Sequence, residues 1–118
     1  MKAVLQDILD RIPEALGAAV VGLDGIPVEK LAARQSFNID LASAEWISLV
    51  KRAAAALRSA TPPGGPEEIS VTSRSGLAIL RSIGGDYFLC VVVGPECLQG
   101  RVRYEVWRAG LQLEEALA

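Results

Sequence analysis

The sequence predicts an α+β fold, an α/β sandwich in which a five-stranded antiparallel sheet carries helices on both faces. Apolar residues recur at helical spacing in three segments, and five shorter segments have the alternating or continuously apolar pattern of strands. All but one of the connections between consecutive strands are short enough for hairpins, which join antiparallel strands. The predicted order is helix, two strands, helix, three strands, helix.

The composition fits one globular domain over 1–118 and excludes several classes of function. Hydrophobic residues make up 51% of the chain, and 12 basic side chains nearly balance 14 acidic ones without forming a basic block. Nucleic-acid binding is therefore not expected. The longest apolar run, 88–93, is far shorter than the roughly 20 residues that span a bilayer, so no membrane insertion is expected. Without a signal-peptide pattern, and with Cys90 and Cys97 expected to be reduced, the sequence predicts a cytoplasmic protein.

The first helix is predicted over residues 2–12, where apolar side chains have helical spacing. Pro13 ends it, because the proline ring blocks a further turn. Residues 17–23 follow and are apolar on both alternating faces, which is typical of a central strand covered on both sides.

The next connection is a hairpin at Asp24-Gly25, where the sequence predicts a tight primed turn that needs positive φ. Residues 26–33 return as the second strand. Pro27 has no amide hydrogen to donate to a neighbouring strand, so this strand is predicted at an edge of the sheet.

The strongest helix signal covers residues 43–60. Ser43 is suited to cap the amino end, and Glu45 complements the positive end of the helix dipole. The proline- and glycine-rich residues 61–66 predict a rigid turn that ends the helix.

Three strands are predicted in the second half of the chain. Residues 67–74 alternate apolar with polar side chains and suit an edge, whereas 77–83 and 87–93 follow as hairpin arms. Because 87–93 and 17–23 are both apolar on two faces, they are predicted to be neighbours in the middle of the sheet. The predicted strand order is 2-1-5-4-3.

The last helix is predicted to begin after Gly94, with Pro95 at its first helical position. Gly110 is a weak point in this helix, costing about 1 kcal/mol relative to alanine. The stripe predicted to be buried consists of Leu98, Val102, Val106, Ala109, Leu113 and Leu117.

No catalytic, cofactor-binding or metal-binding residues are predicted. The chain has no histidine, the commonest general base and metal ligand. Gly17 and Gly22 have the spacing of a phosphate loop, but Leu23 and Asp24 follow where a lysine and a serine or threonine are needed. The adjacent carboxylates at 67–68 and 114–115 do not face each other on a strand or helix, so neither pair can converge on one substrate atom.

The helix over 43–60 has a wider apolar surface than one sheet face requires, which points to a second packing partner. Two interpretations stay open: a deeply buried helix in a monomer, or a twofold dimer in which this helix meets its own copy and the edge strand 67–74 pairs sheet to sheet. The predicted dimer interface comprises Trp46, Leu49, Val50, Ala53, Ala54, Leu57, Ile69 and Val71.

Two stretches carry a resemblance to a known family. "IPEALGAAVVGLDGIPVEKLA" (12–32) has an early helix end with proline, a Gly-Ala-rich strand and an Asp-Gly turn. "GLAILRSIGGDYFLCVVVGPECLQGRVRYEV" (76–106) has a strand pair and a helix after Gly-Pro. In these features the chain resembles the Roadblock/LC7 domain family, which has a profilin-like fold, and especially its bacterial stand-alone MglB-like members.

The resemblance implies homodimers or heterodimers joined through the second helix and third strand. It also implies regulators or scaffolds of Ras-like small GTPases. MglB-like members stimulate GTP hydrolysis by an MglA-type partner through reorganisation of the partner's own catalytic residues. We expect a protein of this kind to act by contact and not as an enzyme. The partner is expected on the exposed side of the second helix, at Glu45, Ser48, Lys51 and Arg52.

Two other functions compete with a GTPase regulator. A structural adaptor would bind its partners regardless of nucleotide and leave hydrolysis unchanged. A small-ligand sensor would need convergent polar groups, which the sequence does not display.

Overall fold

A computed structural model describes residues 1–60 and 64–117, and it confirms the predicted order of helices and strands. The predicted turn over 61–66 lies partly outside the described residues. The helices are α1 (Lys2–Arg11), α2 (Ile39–Ala60) and α3 (Gln99–Leu117), and the strands are β1 (Ala15–Gly22), β2 (Pro27–Ala32), β3 (Glu68–Ser73), β4 (Gly76–Ile83) and β5 (Tyr87–Val93).

The five strands form one antiparallel sheet in the order β2-β1-β5-β4-β3, as predicted. β1 and β5 pair in the centre, and their side chains are buried on both faces because helices lie on both sides. β2 and β3 are the edges. β2 begins at Pro27, where a missing amide hydrogen does least harm.

The sheet separates two apolar cores of unequal size. α1 and α3 cover one face, with a core that includes Leu5, Ile79, Val91 and Leu113. Among the described residues, α2 alone covers the other face, over a smaller core that includes Ala19, Ile47, Leu80, Phe88 and Cys90. One sheet face therefore carries two helices and the other only one.

The β1–β2 turn differs from the predicted primed turn. Gly25 has φ +84°, but no residue other than glycine has positive φ in the described chain. The amide of Gly25 donates to the carbonyl of Gly22, and the Asp24 side chain accepts from the amide of Ile26 at 3.0 Å. The amide of Gly22 also donates to the carbonyl of Ile26 at 3.2 Å and encloses a loop of three residues, 23–25. Only Gly25 is in the left-handed region, and Asp24 serves as a turn-forming acceptor.

The amino end of α2 lies four residues before the prediction. Asn38 caps the helix, since its Oδ1 accepts from the amide of Leu41 at 3.1 Å, and Asp40 lies in the first turn. The prediction that Ser43 caps the helix is wrong. Ser43 is a buried residue within the helix, and its hydroxyl donates to the carbonyl of Ile39 at 2.7 Å. Glu45 accordingly lies in the second turn.

α3 begins later than predicted, at Gln99, so Pro95 lies in the preceding loop. Leu98 is 71% exposed and does not belong to the buried stripe, whereas the other five members of that stripe are buried or half-buried. Gly110 is buried, and a β-carbon there would come within 3.3 Å of the Arg81 side chain. α3 therefore lies close to β4 at this glycine.

Candidate interaction surface

α2 is fastened to the sheet along one narrow line of buried side chains. Ile39, Ser43, Ile47 and Val50 recur every three or four residues and are buried. Lys30 on β2 donates to the Asp40 carboxylate at 2.7 Å and ties this flank of the helix to the sheet edge. α2 therefore lies over the β1–β2 half of its sheet face.

The opposite flank of α2 is apolar and incompletely covered. Trp46, Leu49 and Ala53 lie about half a turn around the helix from Asp40, and all three are half-buried. Trp46 packs against Phe37, with ring centroids 6.4 Å apart. Since the main sheet contacts of α2 are with β1 and β2, this flank faces the β4–β3 side of the sheet.

That part of the sheet presents a row of aliphatic side chains. Val71 pairs with Ala78, and Ala78 pairs with Val92, so the three lie side by side across β3, β4 and β5. Ile69 lies on the same face and packs against the smaller core. Val71 is 46% exposed, and a shallow cavity of about 170 Å³ lies along it. We call Ile69, Val71, Ala78 and Val92 the β3 shelf.

The predicted dimer residues fall around this surface. Val50 is buried beneath α2 at 3% exposure, so it supports the helix from below. Val71 is exposed, and Ile69 with the remaining α2 residues is half-buried, namely Trp46, Leu49, Ala53, Ala54 and Leu57. Sequence reasoning missed Ala78 and Val92. The register of β3 with β4 and β5 would have revealed them, because directly paired residues share a face.

The predicted partner residues lie on the outer side of α2. Glu45, Ser48, Lys51 and Arg52 are all exposed. Among the described residues none of the three charged side chains forms an ion pair with another part of the chain. The outer side of α2 is thus an exposed surface of mixed charge.

A charged cluster fastens α1 to α3 on the opposite side of the sheet. Arg108 donates to Asp7 at 2.7 Å and to Glu105 at 3.0 Å, and Arg11 also contacts Asp7. The hydrogen bond from Arg108, followed by that from Arg11, lowers the pKa of Asp7. Because each carboxylate has an arginine partner at the seam of two helices, the cluster has an evident structural role.

The described residues form no group of histidine, cysteine, aspartate or glutamate able to hold a metal ion. Cys90 and Cys97 are both free, and burial raises the pKa of the Cys90 thiol. Around the β1–β2 turn lies an open cavity of about 450 Å³, and the charged residues in its described lining are Asp24 and Asp86. Two carboxylates there disfavour a phosphate ligand. Within the described residues, no helix is long and apolar enough to cross a membrane.

No family model matches the sequence, and no curated protein matches it. Solved structures, however, match nearly the whole chain. The Roadblock/LC7 domain from Streptomyces avermitilis has a TM-score of 0.89 at 18% identity, covering 99% of this chain and 97% of its own. Myxococcus xanthus MglB has a TM-score of 0.88 at 13% identity, covering 98% and 93%.

Two further solved structures share the fold at lower TM-scores. MglC from Myxococcus xanthus has a TM-score of 0.71 at 24% identity, covering 97% of this chain and 96% of its own. Acanthamoeba castellanii profilin IA has a TM-score of 0.64 at 15% identity, covering 99% and 98%. The higher scores of the Roadblock structures, together with the strand order 2-1-5-4-3, show that this chain has the Roadblock/LC7 variant of the profilin-like fold.

Proposed function

We propose that this chain is a cytoplasmic, homodimeric regulator of a Ras-like small GTPase of the MglA type, built from a single Roadblock domain and acting by protein contact. The observation that carries the proposal is the continuous apolar surface from the open flank of α2 across the β3 shelf. A lone protomer leaves this surface uncovered, and exposed apolar surfaces of this kind mark protein contacts.

A second copy fits the surface by twofold symmetry. Within the part of the chain that the structure describes, the outer edge of β3 has no neighbouring strand, so its free backbone groups can pair antiparallel with the same strand of another copy. The same twofold would bring the second α2 over the β3 shelf. Alanine at 53 and 54 would let the two α2 helices approach closely, and Trp46 and Leu49 would be buried between them.

The dimer would place two copies of the outer side of α2 on one surface. Glu45, Ser48, Lys51 and Arg52 would then form a mixed-charge platform of twice the area that one protomer offers. Charges exposed around such a surface steer and select a protein partner. Without a catalytic set in the described chain, any change in GTP hydrolysis would come from rearrangement of the partner.

The test is capture from native lysate with the immobilised protein, once with a non-hydrolysable GTP analogue and once with GDP. We expect a small GTPase, identified by mass spectrometry, to be enriched with the GTP analogue. The double variant Glu45→Arg/Arg52→Glu should lose it, whereas Lys2→Glu, an exposed charge reversal on α1, should retain it.

Three outcomes contradict the regulator. Equal capture in both nucleotide states would favour a structural adaptor, and absence of any GTPase would remove the regulatory role. If Glu45→Arg/Arg52→Glu captured the GTPase as well as wild type does, the GTPase would bind somewhere other than the outer side of α2. If capture follows the expected pattern, the hydrolysis rate of the purified GTPase with and without this protein decides whether it is an activator.

A further inference from the structure

α3 has a second apolar face, which points away from the sheet. Tyr104, Trp107 and Leu111 are 56%, 45% and 45% exposed, and their spacing of three and four residues aligns them in one stripe. The rings of Tyr104 and Trp107 lie 6.1 Å apart. Since the buried side of α3 already fills the larger core, the stripe is additional to what the fold requires.

The charged residues at the two ends of α3 have the wrong sign for its own helix dipole. Arg101 lies in the first turn, and Glu114 and Glu115 lie in the last, with no acidic residue in the first turn and no basic residue in the last. The amino end of a helix favours negative charge and the carboxyl end positive charge, so each of these side chains is placed unfavourably for an isolated helix. An antiparallel neighbour of the same sequence would turn both mismatches into attractions.

We propose that α3 is a second self-association surface, which binds the α3 of another copy in antiparallel orientation. Arg101 and Glu115 lie on one flank of the stripe, seven residues to either side of Arg108. A twofold axis near Arg108 brings equivalent flanks together, so Arg101 of each copy faces Glu115 of the other.

The same twofold axis also brings opposite charges together on the other flank of the stripe. Arg103 and Glu114 are nearly equidistant from Arg108, so the register that pairs Arg101 with Glu115 also brings Arg103 towards Glu114. Arg103 is held in place by Ser70, at 3.3 Å, and by Glu68, at 3.6 Å. Among the described residues, Arg101, Glu114 and Glu115 have no ion-pair partner within their own chain.

This contact is independent of the proposed dimer through α2. α3 and α2 lie on opposite faces of the sheet, so one protomer can use both surfaces at once. Two different twofold contacts per protomer, with axes that cross at right angles, build a closed tetramer. Self-association through α3 would thus extend the assembly beyond the dimer, and it does not depend on the GTPase role.

The test is charge reversal followed by rescue, with mass measured by light scattering over a range of protein concentrations. Arg101→Glu and Glu115→Arg should each halve the mass of the wild-type assembly. The double variant Arg101→Glu/Glu115→Arg should restore it, because both pairs then reform with reversed sign. Lys2→Glu is the matched control and should leave the mass unchanged.

A second set of variants, made in a protein that lacks the proposed α2 contact, measures the α3 contact by itself. In Val71→Lys, where the β3 shelf carries a charge, the α3 contact should leave a dimer that Arg101→Glu converts to monomer. A Val71→Lys protein that is already monomeric at every concentration overturns the α3 proposal. So does a mass that neither single reversal changes, or a double variant that fails to recover. Folding is checked by circular dichroism for each variant.

Discussion

At Gly76 the backbone conformation decides which residue can be present. Its φ is +146°, and a β-carbon at this position would lie only 2.1 Å from the carbonyl oxygen of Val93. The absence of a side chain therefore lets the start of β4 close against the end of β5. The sequence marks this glycine as a break between strands, but the contact with Val93 depends on a pairing across 17 residues of sequence.

Gly76→Ala should destabilise the protein by more than about 2 kcal/mol, because it adds both backbone strain and a clash with a main-chain atom. Gly65→Ala is the control, since no atom of the described residues, its chain neighbours apart, lies within 4 Å of the added carbon. Urea unfolding of both variants measures the difference. A Gly76→Ala protein as stable as Gly65→Ala would mean that this turn has another conformation.

Asn38 and Ser43 show what local sequence can and cannot decide. Both residue types cap helices well, and the serine precedes the strongest helical pattern. The true start lies earlier because Ile39 is needed in the smaller core and Asp40 forms an ion pair with Lys30 of β2. These tertiary contacts extend α2 beyond the boundary that propensity indicates.

At the scale of the element, the cap of α2 gives a paired prediction. Asn38→Ala removes the acceptor for the amide of Leu41 and should cost about 1 kcal/mol. Ser43→Ala should cost less, because the carbonyl of Ile39 keeps its place in the helical ladder. Chemical unfolding compares the two; a larger loss for Ser43→Ala would contradict the assigned helix start.

The seam between α1 and α3 predicts a dependence of stability on pH. Arg108 and Arg11 lower the pKa of Asp7 below its ordinary value of 3.8. A carboxyl with a lowered folded-state pKa stabilises the fold fully above its unfolded pKa, and loses that contribution as the pH falls through the folded value.

Asp7→Asn should therefore be less stable than wild type at pH 7, and the difference should shrink in acid below about pH 4. Asp10→Asn serves as control on the same helix, where the carboxylate accepts a hydrogen bond from Gln6 instead of an arginine. Thermal unfolding from pH 7 down to pH 2 gives the comparison. A difference in melting temperature between Asp7→Asn and wild type that stayed constant across that range would show that ionisation of Asp7 does not stabilise the fold.

At the scale of the molecule, the uneven covering of the sheet connects fold to function. Strand order and the helices on both faces follow from the sequence, since doubly apolar strands belong in the centre and Pro27 at an edge. The β3 shelf does not follow so directly. Ala78 and Val92 belong to strands whose sequence is typical of the core, and only the cross-strand register shows that they lie beside the exposed Val71.

The proposed function rests on the β3 shelf as the place where a second copy binds, and one pair of variants tests it directly. Val71 and Thr72 are adjacent exposed residues of β3 on opposite faces of the sheet. Light scattering should find that Val71→Lys halves the mass of the wild-type assembly, whereas Thr72→Lys leaves it unchanged. Equal masses for wild type and both variants would contradict the account, because the shelf would then not be the dimer interface.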